Sequence, residues 1–192
     1  MSFGVHLLAG GLARSDTEVV RILQEHVDEM DGFLERTAED LSLIELDVET
    51  RIQYLRLPLD NLDVFDGILT DTTFRISVAG YNDKIKLSIE RFGAAVVDLL
   101  KDVGKGMEGV RKLWIYLGQL AADSALASGS LGIIYEAMLG NVNGWNVALS
   151  RLHKRGSLLD STLTHLDIGL SNLQRRVGVA HPPGMFIARS VK

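Results

Sequence analysis

The sequence predicts an all-α fold, an elongated antiparallel bundle of long helices with coiled-coil-like packing. Three observations carry that expectation. From Tyr135 to Val177 the apolar residues keep a 3-4 spacing: Tyr135, Met138, Val142, Trp145, Leu149, Leu152, Gly156, Leu159, Leu163, Leu166, Leu170, Leu173, Val177. Only the glycine departs from apolar character, and such a pattern makes a helix that buries one narrow stripe against other helices. Prolines are few, three in 192 residues, and only Pro58 falls in the main body, because Pro182 and Pro183 sit together near the C-terminus. Finally, Ser15-Asp16-Thr17-Glu18 forms a capping box, in which the serine oxygen accepts from a free N–H and the glutamate reaches back.

Taken in order, residues 1–14 read as an N-terminal arm, 15–177 as the helical bundle domain and 178–192 as an irregular tail containing His181-Pro182-Pro183-Gly184. The first helix is expected over 16–57. Its seam runs Val20, Leu23, Val27, Met30, Leu34, Leu41, Ile44, Val48 and then Ile52 or Leu55, with Thr37 in one seam position. Pro58 removes a backbone donor and restricts Leu57, and Asp60 offers an N-cap, so a kink competes with a full turn there. A second helix is expected over 60–79.

Ala79-Gly80-Tyr81-Asn82-Asp83 has turn composition, and the seam slips at the same place. A third helix is therefore expected over 84–127, with the seam Ile85, Ile89, Phe92, Val96, Leu99, Val103, Val110, Leu113, Leu117, Leu120. A second slip coincides with Ser128-Gly129-Ser130-Leu131-Gly132, which sets the fourth helix at 131–177. The last two helices would each span roughly 65–70 Å at ~1.5 Å per residue. Lys154-Arg155-Gly156-Ser157 followed by Asp160 resembles a helix end and restart, but the seam keeps phase across it, so one continuous helix is expected.

Composition bounds function by exclusion. A net charge of -5 argues against a general nucleic-acid binder. The absence of cysteine removes disulfides, thiolate metal sites and Cys nucleophiles. The first fourteen residues carry an apolar patch without a basic start, which does not read as a signal peptide. A cytoplasmic location is expected, with export by a non-classical route left open.

Gly104-Lys105-Gly106-Met107-Glu108-Gly109 matches the dinucleotide pattern G-x-G-x-x-G. That motif needs a strand before it and a helix after it, and here helical spacing precedes it, so a kink or turn is the plainer reading. His6, His26, His153, His165 and His181 show no metal-ligand spacing, and His26 with Glu29 reads as a surface pair. No cofactor, metal, catalytic set or small-molecule ligand is indicated.

The one region with distinctive chemistry is Leu113–Ser150, whose only charges are Asp123 and Glu136. Small residues recur four apart at Gly118 and Ala122, at Ala121, Ala125 and Gly129, and at Gly140 and Gly144, a spacing that lets helix backbones approach closely. The candidate partner-facing residues are Trp114, Tyr116, Leu117, Leu120, Ile133, Ile134, Tyr135, Met138, Leu139 and Trp145. The basic clusters Lys101, Lys105, Arg111, Lys112 and Arg151, Lys154, Arg155 bracket the region; about a hairpin at 128–132, Arg111 and Arg151 would come level.

The function expected from all this is a non-enzymatic helical scaffold or protein-interaction module that binds a protein partner or a second copy of itself. The alternative is a membrane-acting protein, built like α-helical pore-forming proteins, with a masked apolar hairpin over 113–150. That comparison is one of architecture only.

Overall fold

The computed structural model describes residues 15–121 and 130–179, and everything below concerns those residues. They form four α-helices and no strand: α1 Asp16–Asp60, α2 Leu62–Ile68, α3 Thr72–Ala121 and α4 Ser130–Val179. The expected arm 1–14 and most of the expected tail lie outside them; of the expected turn cluster 128–132, residues 128 and 129 lie outside and Ser130, Leu131 and Gly132 already belong to the first turn of α4.

α1 begins with the serine half of the capping box. The Glu18 N–H donates to Ser15 Oγ at 3.3 Å, and the Val19 N–H donates to the Ser15 carbonyl at 3.0 Å. Pro58 lies inside the last turn of α1. Its missing N–H leaves one helical carbonyl without a donor, and the helix stops two residues later. At Asn61 the backbone leaves the helical region, with φ -130° and ψ 54°, and the Asn61 side chain donates to the Leu57 carbonyl at 2.9 Å. The interruption expected at Pro58 is therefore present, a few residues downstream of the proline.

The next boundary departs from the expected one. α2 is only seven residues long, and α3 starts at Thr72, not near residue 84. Asp71 makes this start: its Oδ1 accepts from the Phe74 N–H at 2.9 Å and its carbonyl from the Arg75 N–H at 3.0 Å. Thr70 Oγ1 donates back to the Gly67 carbonyl at 2.8 Å. Ala79–Asp83, expected as a turn, is continuous helix. The apparent slip there comes from Asn82, which is buried at 2% exposure in a seam position. Once it is counted, the seam runs unbroken through Val78, Asn82, Ile85, Ile89, Phe92 and Val96.

The described residues divide into two compact units, the first falling within 1–43 and 96–159, the second within 44–95 and 160–192. In the first unit, Ile22, Leu23, Met30 and Leu41 of α1 are buried with Val103, Val110 and Leu113 of α3 and Met138, Val142 and Leu149 of α4. The neighbours of Gly106 include Leu149, and those of Gly156 include Leu100, so α3 and α4 run antiparallel. Trp145 meets Asp31 and Arg155 meets Ser42, so α1 and α4 run parallel. An up-down-up order of three helices yields both directions.

The second unit repeats the scheme. Tyr54 packs on Tyr81 and Arg51 over Phe92, which sets α1 antiparallel to α3. Leu59 lies against Gly169 and Asp66 pairs with Arg176, with α4 running the same way as α1 and α2. Its core holds Leu55, Phe65, Leu69, Ile85, Leu166, Leu170 and Leu173.

The α4 seam is as expected. Every seam position from Met138 to Leu173 is buried, Gly156 included, and Tyr135 and Val177 at its ends are half-buried. The helix continues through Gly156. An added Cβ there would stand 2.9 Å from Leu100 Cδ2, so the glycine admits a leucine from α3.

Candidate functional site

The low-charge region of the first unit is drawn from the C-terminal part of α3 and the N-terminal part of α4. Residues 122–129 between them lie outside the described residues. Of the ten candidate residues, Leu117, Met138 and Trp145 are buried and belong to the core. Tyr116, Ile134, Tyr135 and Leu139 are half-buried. Burial pushes the Tyr116 phenol above its ordinary range. Leu120 is within α3, and its side chain is outside the described set. Of the ten, Trp114, 46% exposed, and Ile133, 77% exposed, present large apolar surface to solvent, joined by Ile115 and Val147, which the sequence reading passed over.

The small-residue spacing does not do what it promised. An added Cβ at Gly118, Gly140 or Gly144 would meet nothing within 4 Å, so these glycines face open space. Close approach happens instead at Gly106, where a Cβ would stand 3.2 Å from Leu149 Cδ2 and 3.5 Å from Phe33 Cε1. Gly104–Gly109 is accordingly neither a nucleotide loop nor a turn. It lies inside α3, with its backbone committed to the helix and Gly106 serving packing.

The basic clusters also differ from their expected placement. The α3–α4 register set at Gly106 and Gly156 brings Arg111 about level with Gly144, not with Arg151. Lys101, Lys105, Arg111 and Lys112 are each paired along α3, with Asp98 at 3.0 Å, Asp102 at 2.7 Å and Glu108 at 2.8 and 3.7 Å. These partners hold the Asp102 and Glu108 carboxyls below their ordinary values. Arg155 donates to Ser42 Oγ at 3.0 Å. Helical i,i+3 and i,i+4 pairing thus accounts for the α3 cations.

His26 is a correction of another kind. It is not a surface residue: at 2% exposure it is buried in the first unit. Glu29 Oε2 stands 3.9 Å from its Nδ1, beyond hydrogen-bonding distance, and neither ring nitrogen has a partner. Its neighbour is Trp145, edge-on with centroids 5.6 Å apart, whose Nε1 donates to Asp31 Oδ1 at 2.8 Å. Burial pushes the His26 pKa down from 6.5 to about 4. The imidazole is therefore neutral at pH 7. One helical turn separates it from Leu23 and Met30, so its place in the seam could have been read from spacing; its type hid it.

The second unit holds a feature with no counterpart in the sequence reading. A cleft of about 650 Å³ opens among the end of α1, α2 and the start of α3, with Leu173 of α4 also in its lining. Its lining carries no charged residue. Among the described residues no group of three His, Asp or Glu side chains could hold a metal ion, and no helix is long and apolar enough to cross a membrane.

Against known protein families, curated proteins and solved structures, the chain has no match. The class it belongs to is therefore the one its own geometry defines, an all-α bundle.

Proposed function

We propose that the chain is a non-enzymatic helical interaction module that associates with a second copy of itself, acting in the cytoplasm as the sequence reading expects. The observation that supports this is the exposure of Trp114, Ile115 and Ile133 on helix ends that are almost free of charge. Leu113–Ala121 contains no charged residue, and Ser130–Ser150 contains only Glu136. Large apolar side chains left in solvent without neighbouring charge are what a helix offers to a partner.

Light scattering across a concentration series tests the reading. The expected result is a mass that rises from monomer towards dimer, with Ile133→Glu and Trp114→Glu each shifting it back. A strict monomer at every concentration overturns self-association. Because the same exposed residues suit an anionic membrane surface, the variants are also run in co-sedimentation with phosphatidylcholine–phosphatidylglycerol vesicles. A monomer that binds vesicles, and loses binding in Ile133→Glu, replaces the first reading with the membrane one.

A further inference from the structure

The cleft of the second unit is lined by rings and amides. Tyr54 and Tyr81 lie tilted against each other with centroids 4.1 Å apart, and Phe65 meets Phe74 edge-on at 6.3 Å. The volume, about 650 Å³, falls within the range of small-molecule sites, which are mostly apolar with a few placed polar groups. Asn82 stands in the lining at 2% exposure, and its Nδ2 has no acceptor. A buried amide donor left unmatched is costly. A seam asparagine that only fixed helix register would find its partner across the interface, and this Nδ2 has none. The terminal torsion of asparagine is broad, so a swing of the amide turns the donor to the cavity at little cost.

The geometry points to a binding site for an uncharged, flat, mainly apolar molecule that bears a carbonyl oxygen. The aromatic lining receives the body of the ligand. Asn82 Nδ2 donates to its oxygen. The absence of any charged group in the lining selects against ionic ligands, whose desolvation nothing there would compensate. This site is separate from the exposed helix ends of the first unit and does not depend on self-association.

The test uses the full chain and two neutral dyes whose emission reports polarity: Prodan, a naphthalene carrying a propionyl carbonyl, and N-phenylnaphthylamine, which has no carbonyl. Saturable, blue-shifted Prodan emission is expected. Leu57→Trp and Ile68→Trp, both at exposed positions in the lining, should weaken both dyes by crowding the cleft. Asn82→Leu should weaken Prodan about five- to tenfold, the worth of one neutral hydrogen bond, and leave N-phenylnaphthylamine unchanged. Circular dichroism checks each variant's helix content, and Asn82→Ala replaces Asn82→Leu if the latter does not fold. The proposal is overturned by non-saturable Prodan emission, by undiminished binding in both tryptophan variants, or by an Asn82 variant that treats the two dyes alike.

Discussion

His26 makes the first unit sensitive to mild acid. In the unfolded chain its imidazole takes a proton near pH 6.5; in the folded chain burial delays this to about pH 4. Between those values the unfolded state binds more protons, so stability falls as the pH drops through that window and is constant, as far as His26 is concerned, below it. Each tenfold change in proton affinity is worth about 1.4 kcal/mol, so the whole loss is about 3 kcal/mol. Glu29 works the other way, but it is 3.9 Å from Nδ1 and largely in solvent, where its attraction is screened. Urea unfolding between pH 7.5 and 4, followed by tryptophan fluorescence, measures the effect, since both tryptophans lie in the first unit. His26→Leu supplies the reference, because carboxylate titration is common to both proteins and cancels. The gap between variant and parent should widen by about 3 kcal/mol on acidification, and parallel curves would refute the argument. The variant should also be the more stable at pH 7, because it removes two buried nitrogens that have no partner.

Two further substitutions test the packing. Gly104 and Gly106 lie two residues apart in α3 but in different surroundings. Gly104→Ala should stabilise by about 0.5–1 kcal/mol, since the helix gains propensity and the new methyl meets open space. Gly106→Ala should lose about 1 kcal/mol by overpacking against the fully buried Leu149; equal thermal shifts for the two would contradict the α3–α4 register. Asp31→Leu strips the acceptor from the Trp145 N–H, which should cost about 1–3 kcal/mol in urea unfolding. An unchanged midpoint would mean that water serves that N–H equally well.

Much of the fold was legible because seams of leucine and valine report burial directly. The α4 seam and the continuity through Gly156 followed from phase alone. What misled was residue type at seam positions. Asn82 is polar, so an unbroken helix read as a turn; His26 is titratable, so a core residue read as half of a surface pair. The start of α3 is capped by Asp71, but the apolar spacing Leu62, Phe65, Leu69, Ile76 runs across it without a slip, so the seam gives no sign of a boundary. The glycines of the low-charge region fit a close-packing spacing, yet spacing cannot say which side of a helix has a neighbour, and Gly118, Gly140 and Gly144 have none there. The cleft was invisible for a deeper reason: it joins Tyr54, Phe74 and Tyr81 through a break at Asn61 whose angles no pattern specifies.

The parallel pairing of α1 with α4 sets an order of events on the ribosome. Trp145 and Asp31 are 114 residues apart in sequence, Arg155 and Ser42 113, and Arg176 and Asp66 110. α1 is synthesised first, and its buried face of Ile22, Leu23, Met30 and Leu41 has no α4 to pack on until the last third of the chain has emerged. Contacts that distant slow folding relative to a bundle built only from neighbouring hairpins. Until α4 emerges, α1 can pack only on α3, as Phe33 does at Gly106, and a helix with part of its apolar face still open is the kind of intermediate that aggregates most readily.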